Sequence, residues 1–126
     1  VTVVLDSSAI LALAFGELGA ASVETRRQGA MVSTVTLSEC LSKLLDHGLK
    51  QAEATAALRA LGLVSVAFTG GQVWRAGALR SRYRRSGLSF ADCACLALAA
   101  ETGLTALTGD RLWATLDHGV PVELFR

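Results

Sequence analysis

The chain opens VTVVL, breaks at Asp6-Ser7-Ser8, and then resumes an apolar pattern in AILALAF. A short β-rich run ended by a turn-capable residue predicts a strand over 1–5. SSAILALAFG predicts a helix with Asp6 or Ser7 as cap and Gly16 at its end. An amphipathic helix is expected from Gly19 to Gln28, a strand over AMVST (30–34), and a helix over VTLSECLSKLLDHG closed by His47-Gly48. KQAEATAALRALG (50–62) reads as a further helix and LVSVAF (63–68) as a third strand. GGQVWRAGALRSRYRRSG (70–87) has a helical pattern weakened by Gly77. SFADCACLALAAETG (89–103) is the clearest helix, with a Ser cap, an apolar body and a terminal Gly. LTAL (104–107) is a short strand, GDRLWATLDHG a short helix, and PVELF (121–125) a last strand with Pro121 at its start.

Strands alternating with helices predict a single α/β domain over 1–126, a three-layer α/β/α sandwich around a mainly parallel five-stranded sheet. In such sheets ligands gather outside the carboxyl ends of the strands. Those ends are where candidate chemistry should be sought.

Composition agrees with a folded domain: 52% of the 126 residues are hydrophobic and only 18% are charged. The longest purely apolar runs, such as CACLALAA (93–100), are too short to cross a bilayer. Without a basic leader, and with Asp6 interrupting the first apolar stretch, no secretory signal is expected. Cys40, Cys93 and Cys95 form no framework spacing, which points to free thiols, core packing and a cytoplasmic setting.

Net charge is +1, but its distribution is uneven. No acid falls between Glu53 and Asp92, while Arg59, Arg75, Arg80, Arg82, Arg84 and Arg85 all do. Such a run is either a solvated helix face or an electrostatic footprint for phosphates. Trp74 and Tyr83 in the same segment are candidates to stack on an unpaired base. For Trp74, next to Val73 on an amphipathic helix, core packing is the favoured expectation.

At the strand ends four carboxylates stand out. Asp6 follows the first strand, Glu39 lies about one turn after the second, Asp92 falls in the first turn of the 89–103 helix, and Asp110 follows LTAL. Singly, each fits a helix cap: Thr36-x-x-Glu39 and Ser89-x-x-Asp92 match the capping-box pattern, and Asp6 and Asp110 suit N-caps. Together they reach one edge of one sheet, where they would repel unless hard cations neutralised them. Both histidines, His47 and His118, precede Gly near helix ends and read as C-terminal caps. The chain has no P-loop, nucleophile elbow or dinucleotide-binding glycine pattern. A hydrolase built on acids alone would depend on metal-activated water.

LDSSAILAL, TVTLSEC, GLSFADCACLALA and LTGDRLW, carrying Asp6, Glu39, Asp92 and Asp110 in that order, resemble a PIN domain, and more narrowly a VapC-type toxin of a toxin–antitoxin pair. The resemblance spans nearly the whole chain. It implies a Mg²⁺- or Mn²⁺-dependent ribonuclease, a homodimer, and a VapB-like antitoxin whose C-terminal segment occludes the acidic site. By position it makes Asp6 and Asp92 direct metal ligands, with Asp110 completing the cluster and Glu39 binding a second metal or orienting water. Ser7 and Thr108 match hydroxyl positions beside the acids and would support the carboxylates. Arg80, Arg82, Arg84 and Arg85 are the candidate RNA contacts. For Asp6 itself, capping is expected to fall to Ser7 or to the Asp6 backbone. The competing expectation is a non-catalytic interaction module of the same fold, its acids serving only as caps.

Overall fold

The computed structural model describes residues 2–126. Val1, expected in the first strand, lies outside the described residues. Five strands, β1 (Val3–Leu5), β2 (Met31–Ser33), β3 (Val64–Val66), β4 (Thr105–Thr108) and β5 (Val122–Leu124), form one sheet in the order β3-β2-β1-β4-β5. Every pairing is parallel, so the sheet is wholly rather than mainly parallel. Central β1 pairs over its full length with β4, from Val3 opposite Thr105 to Leu5 opposite Leu107.

Six α-helices cover the sheet: α1 (Ser7–Phe15), α2 (Ala20–Glu24), α3 (Thr34–Asp46), α4 (Gln51–Ala60), α5 (Gly70–Arg82) and α6 (Phe90–Thr102). The period-2 pleat divides β1 between two cores. Val3 and Leu5 pack with Ile10, Val23, Cys40 and Leu44 on the face covered by α1 to α4. Val4 packs with Leu79, Leu96 and Trp113 on the face covered by α5 and α6. Burial on both faces is why the β1 run reads as continuously apolar. The same holds for α6, whose residues Cys93 to Ala99 are all buried. All three cysteines are buried and free, as their spacing suggested.

Several boundaries differ from those expected. The second helix is confined to Ala20–Glu24, and Thr34 opens α3 instead of ending a strand. Because α3 begins there, capped by the Ser33 hydroxyl on the Val35 amide, Thr36 and Glu39 fall inside the helix and make no capping box. The arginine segment leaves α-geometry after Arg82 and closes with a 3₁₀ turn, Arg84–Ser86. The 109–119 helix is a single 3₁₀ turn, Arg111–Ala114. Trp74 is not a core residue: it is 80% exposed. The inward face of α5 is Gln72, Ala76, Leu79 and the following Tyr83, at spacings of three and four, and Trp74 lies on the opposite side.

Two glycines show opposite uses of a missing side chain. Gly19, at φ +88°, lies where a Cβ would come within 2.8 Å of the Phe125 carbonyl oxygen and 2.7 Å of its ring. It lets the C-terminal segment lie against the start of α2. Gly77 is helical, with nothing within 4 Å of a Cβ. Gly77→Ala is therefore expected to stabilise the protein by up to about 1 kcal/mol, and Gly19→Ala to destabilise it by more than about 1 kcal/mol. Urea unfolding of the two variants beside the parent checks both signs.

Candidate active site

Asp6 is 4% exposed, at the junction of β1 and α1. Its Oδ1 accepts from the amides of Ser8 (2.5 Å) and Ala9 (3.2 Å) and from the Ser8 hydroxyl (2.6 Å). Its Oδ2 accepts from the Thr108 hydroxyl at 2.5 Å. The carboxylate itself thus caps α1, a task expected of Ser7 or of the Asp6 backbone. Support comes from Ser8, not Ser7: an Asx-type cap turns residue i+2 back toward the carboxylate.

Ser8 and Thr108 each do a second task. The Ser8 hydroxyl accepts from the Gly109 amide at 2.9 Å, and the Thr108 hydroxyl accepts from the Asp110 amide at 3.0 Å. Two hydroxyls therefore tie the Asp6 carboxylate to the loop leaving β4. Each donates to the acid and accepts from the loop, so both are fixed in orientation. The carboxylate of Asp110 is exposed, and its Oδ1 caps the next turn at the Leu112 amide, 3.0 Å.

Asp92 forms the expected capping box: its Oδ2 accepts from the Ser89 amide at 2.9 Å, and the Ser89 hydroxyl accepts from the Asp92 amide at 3.1 Å. Glu39 lies on α3, partly exposed, with Lys43 at 3.6 Å one turn on. The parallel topology brings these four acids to the carboxyl edge of the sheet. Among the described residues no three Asp, Glu, His or Cys side chains form a ready-made metal cage. Asp6, Asp92 and Asp110 are instead turned to the backbone amides they cap.

Electrostatics nevertheless join three of the four. Burial pushes the Asp6 carboxyl above its usual range, against the pull of the Ser8, Thr108 and Ala9 hydrogen bonds. Burial raises Asp92 too, with the Ser89 amide pulling down and the charges of Asp6 and Glu39 adding to the rise. The buried thiol of Cys95 is raised by desolvation and by the same three carboxylates. Burial, with Glu39 and Asp6, pushes Cys40 up to about 12. Thiols so held are packing groups, not nucleophiles. The charges of Asp6 and Glu39 thus both bear on Asp92, and all three side chains carry only oxygen donors, the type that hard divalent cations take. Mg²⁺ commonly takes only one or two carboxylates and completes its shell with water, so a preformed cage is not required.

Neither histidine serves this edge. His47 caps the far end of α3, its Nδ1 2.9 Å from the Lys43 carbonyl. His118 is buried; its Nδ1 accepts from the Val120 amide, so Nε2 carries the proton to the Trp113 carbonyl.

Antiparallel pairing of α5 with α6 sets the arginine-bearing end of α5 toward the start of α6. Gln72, early in α5, donates to Glu101, late in α6, while the Arg80 charge is felt at Cys93 next to Asp92. Arg80 is half-buried, and its Nη1 is buried without a partner. Arg82 lies 3.8 Å from Asp117 and over the Tyr83 ring, and Arg84 and Arg85 are exposed. Tyr83 is buried and donates to the Asp117 carbonyl, which makes it a packing residue and not a stacking surface.

A PIN-domain family model matches residues 3–119. No curated protein sequence matches the chain. Among solved structures, the fold is similar to DNA-bound VapBC from Salmonella typhimurium, with a TM-score of 0.77 at 16% identity over 100% of this chain and 99% of that one. It is similar to VapBC2 from Rickettsia felis bound to a fragment of its promoter, with a TM-score of 0.75 at 15% identity over 98% of each chain. It also resembles the Mycobacterium tuberculosis toxin VapC20, described as cleaving the sarcin–ricin loop, with a TM-score of 0.68 at 19% identity over 82% of this chain and 86% of that one. With its parallel sheet and the acids at its carboxyl edge, the chain belongs to the PIN-domain family.

Proposed function

We propose that this chain is a Mg²⁺- or Mn²⁺-dependent endoribonuclease, the toxin of a toxin–antitoxin pair. The observation that carries this reading is that Asp6, Glu39 and Asp92 gather at one sheet edge, the charges of the first two bearing on the third, with Asp6 held by two hydroxyls. The likeness to VapBC assemblies and to an RNA-cleaving VapC supports it.

Asp6 and Asp92 would hold the cation, Asp110 would complete the cluster, and Glu39 would bind a second ion or orient water. Asp92 caps through Oδ2, leaving its other oxygen for a cation. Ser8 and Thr108 keep the Asp6 carboxylate from rotating and hold the Asp110 loop against it. A divalent cation here supplies a water of lowered pKa and a polarised phosphodiester. The arginines at the α6 end of α5 would hold flanking phosphates of RNA, with Arg82, Arg84 and Arg85 exposed and Arg80 half-buried. An antitoxin segment fits an apolar groove of about 470 Å³ between α3 and α4, lined by Leu37, Leu41, Leu58, Leu63 and Arg59. That groove shares α3 with Glu39, so its occupant could extend to the acids. A homodimer is part of this reading. No helix among the described residues is long and apolar enough to span a membrane.

The second reading, a non-catalytic module, has its own observation: Asp6, Asp92 and Asp110 all cap backbone amides. The two readings separate on metal and on charge. Asp92→Asn keeps a capping acceptor and removes a charge, so it should reduce Mn²⁺-dependent cleavage of RNA at least about a hundredfold, by loss of a ligand, while the fold persists. Full cleavage by that variant would contradict the assignment.

The pH dependence has a definite sign. Asp6 and Asp92 have raised values in the folded protein, so their ionised forms cost stability above those values, and protonation returns it as the pH falls through them toward the ordinary carboxylate range. Metal-free Asp92→Asn should therefore melt above the parent at pH 7, and the gap should close on acidification. Mn²⁺ should raise the melting temperature of the parent at pH 7 and much less at acid pH. Independent caps predict no rise with Mn²⁺ at either pH. Differential scanning fluorimetry across pH, with and without Mn²⁺, reads all three.

A further inference from the structure

Phe90, the first residue of α6, is 49% exposed although large and apolar. It stands two residues before Asp92 and directly after the Ser89 cap. Its ring is not loose: Phe68 meets it edge to face, centroids 5.6 Å apart and planes at 84°. Phe68 is anchored in turn, its amide donating to the Thr34 hydroxyl at 3.2 Å. Thr34 opens α3, the helix of Glu39. The aromatic pair therefore bridges the starts of the two helices that carry Glu39 and Asp92.

An edge-to-face partner occupies one side of a ring and fixes its orientation. In the turn leading into α6, Arg84 and Arg85 are exposed, and the Glu53 to Asp92 stretch contains no carboxylate between its ends. A fixed, half-exposed aromatic at the end of a turn with exposed arginines, two residues before Asp92, matches one nucleotide, its base on the ring and its phosphate on a guanidinium. Net positive charge in this stretch favours a polyanion over an acid-poor apolar partner.

We infer that Phe90, oriented by Phe68, is the base-stacking platform of a subsite for an unpaired nucleotide next to the acidic edge. The inference rests on the ribonuclease reading and adds to it how a single strand is held. Stacking accepts any base face, so the subsite selects unpaired over paired RNA and not one base over another.

The test measures binding without metal, in EDTA, by fluorescence anisotropy. The probes are a labelled 12-nucleotide single-stranded RNA of mixed sequence, the same RNA as a duplex, and an abasic 12-mer of identical backbone. Phe90→Ala is expected to weaken single-strand binding about tenfold or more, and Phe90→Tyr to restore it to within about twofold. The abasic strand should bind parent and Phe90→Ala equally, since only the backbone contacts remain. Equal single-strand affinity of Phe90→Ala and the parent would overturn the inference, as would an equal loss on the abasic strand. A parent with no affinity for the single strand would also overturn it. So would a change confined to sedimentation, which would make Phe90 a contact between copies. The ribonuclease reading stands or falls separately, on Mn²⁺-dependent cleavage and melting of the parent.

Discussion

The Asp6 carboxylate is the interaction on which the site depends. Placed between the central strand and α1, it accepts four hydrogen bonds, two from the amides that begin α1 and two from hydroxyls that also grip the 109–110 loop. One acid thus fixes the entry of a helix, the exit of β4 and the relative position of Asp110. Burial makes its charge costly, and those hydrogen bonds offset only part of the cost. A buried acid that stays destabilising when ionised suits a site completed by a cation.

The same tension extends to Asp92, and the charge of Glu39 adds to it. Each has a structural partner, Ser89 for one and Lys43 for the other, so the acids are held apart in capping and pairing roles. Capping and metal binding are compatible, because a carboxylate has two oxygens and a cap uses one. Asp6 is therefore not confined to one role. The residue is a cap by Oδ1, and its Oδ2 meets Thr108 at the edge where the other acids gather.

Much of this was legible in the sequence. The alternation of strand and helix patterns yields the parallel sheet, and strand-end acids follow from that topology. Thr108, which the structure adds to the end of β4, was named only through the family resemblance. Ser8 was not legible: Ser7 and Ser8 are chemically equivalent in the sequence, and only the turn geometry of the cap selects the second. Thr36 and Glu39 match a capping box, but the Ser33 hydroxyl starts the helix one turn earlier. Trp74 was misplaced because its neighbour Val73 suggested an inward face, whereas Gln72, Ala76 and Leu79 define that face and leave Val73 and Trp74 exposed. Phe90 gave no pattern signal, since its meaning depends on Phe68, 22 residues away in the chain and brought to it by the sheet.

The most direct measurement is an anomalous-scattering map from a crystal of the protein grown in Mn²⁺. The account predicts a manganese peak within coordination distance of the Asp6 and Asp92 carboxylates, with Ser8 and Thr108 still hydrogen-bonded to Asp6. A well-ordered site with both carboxylates in place and no manganese at saturating concentration would contradict it.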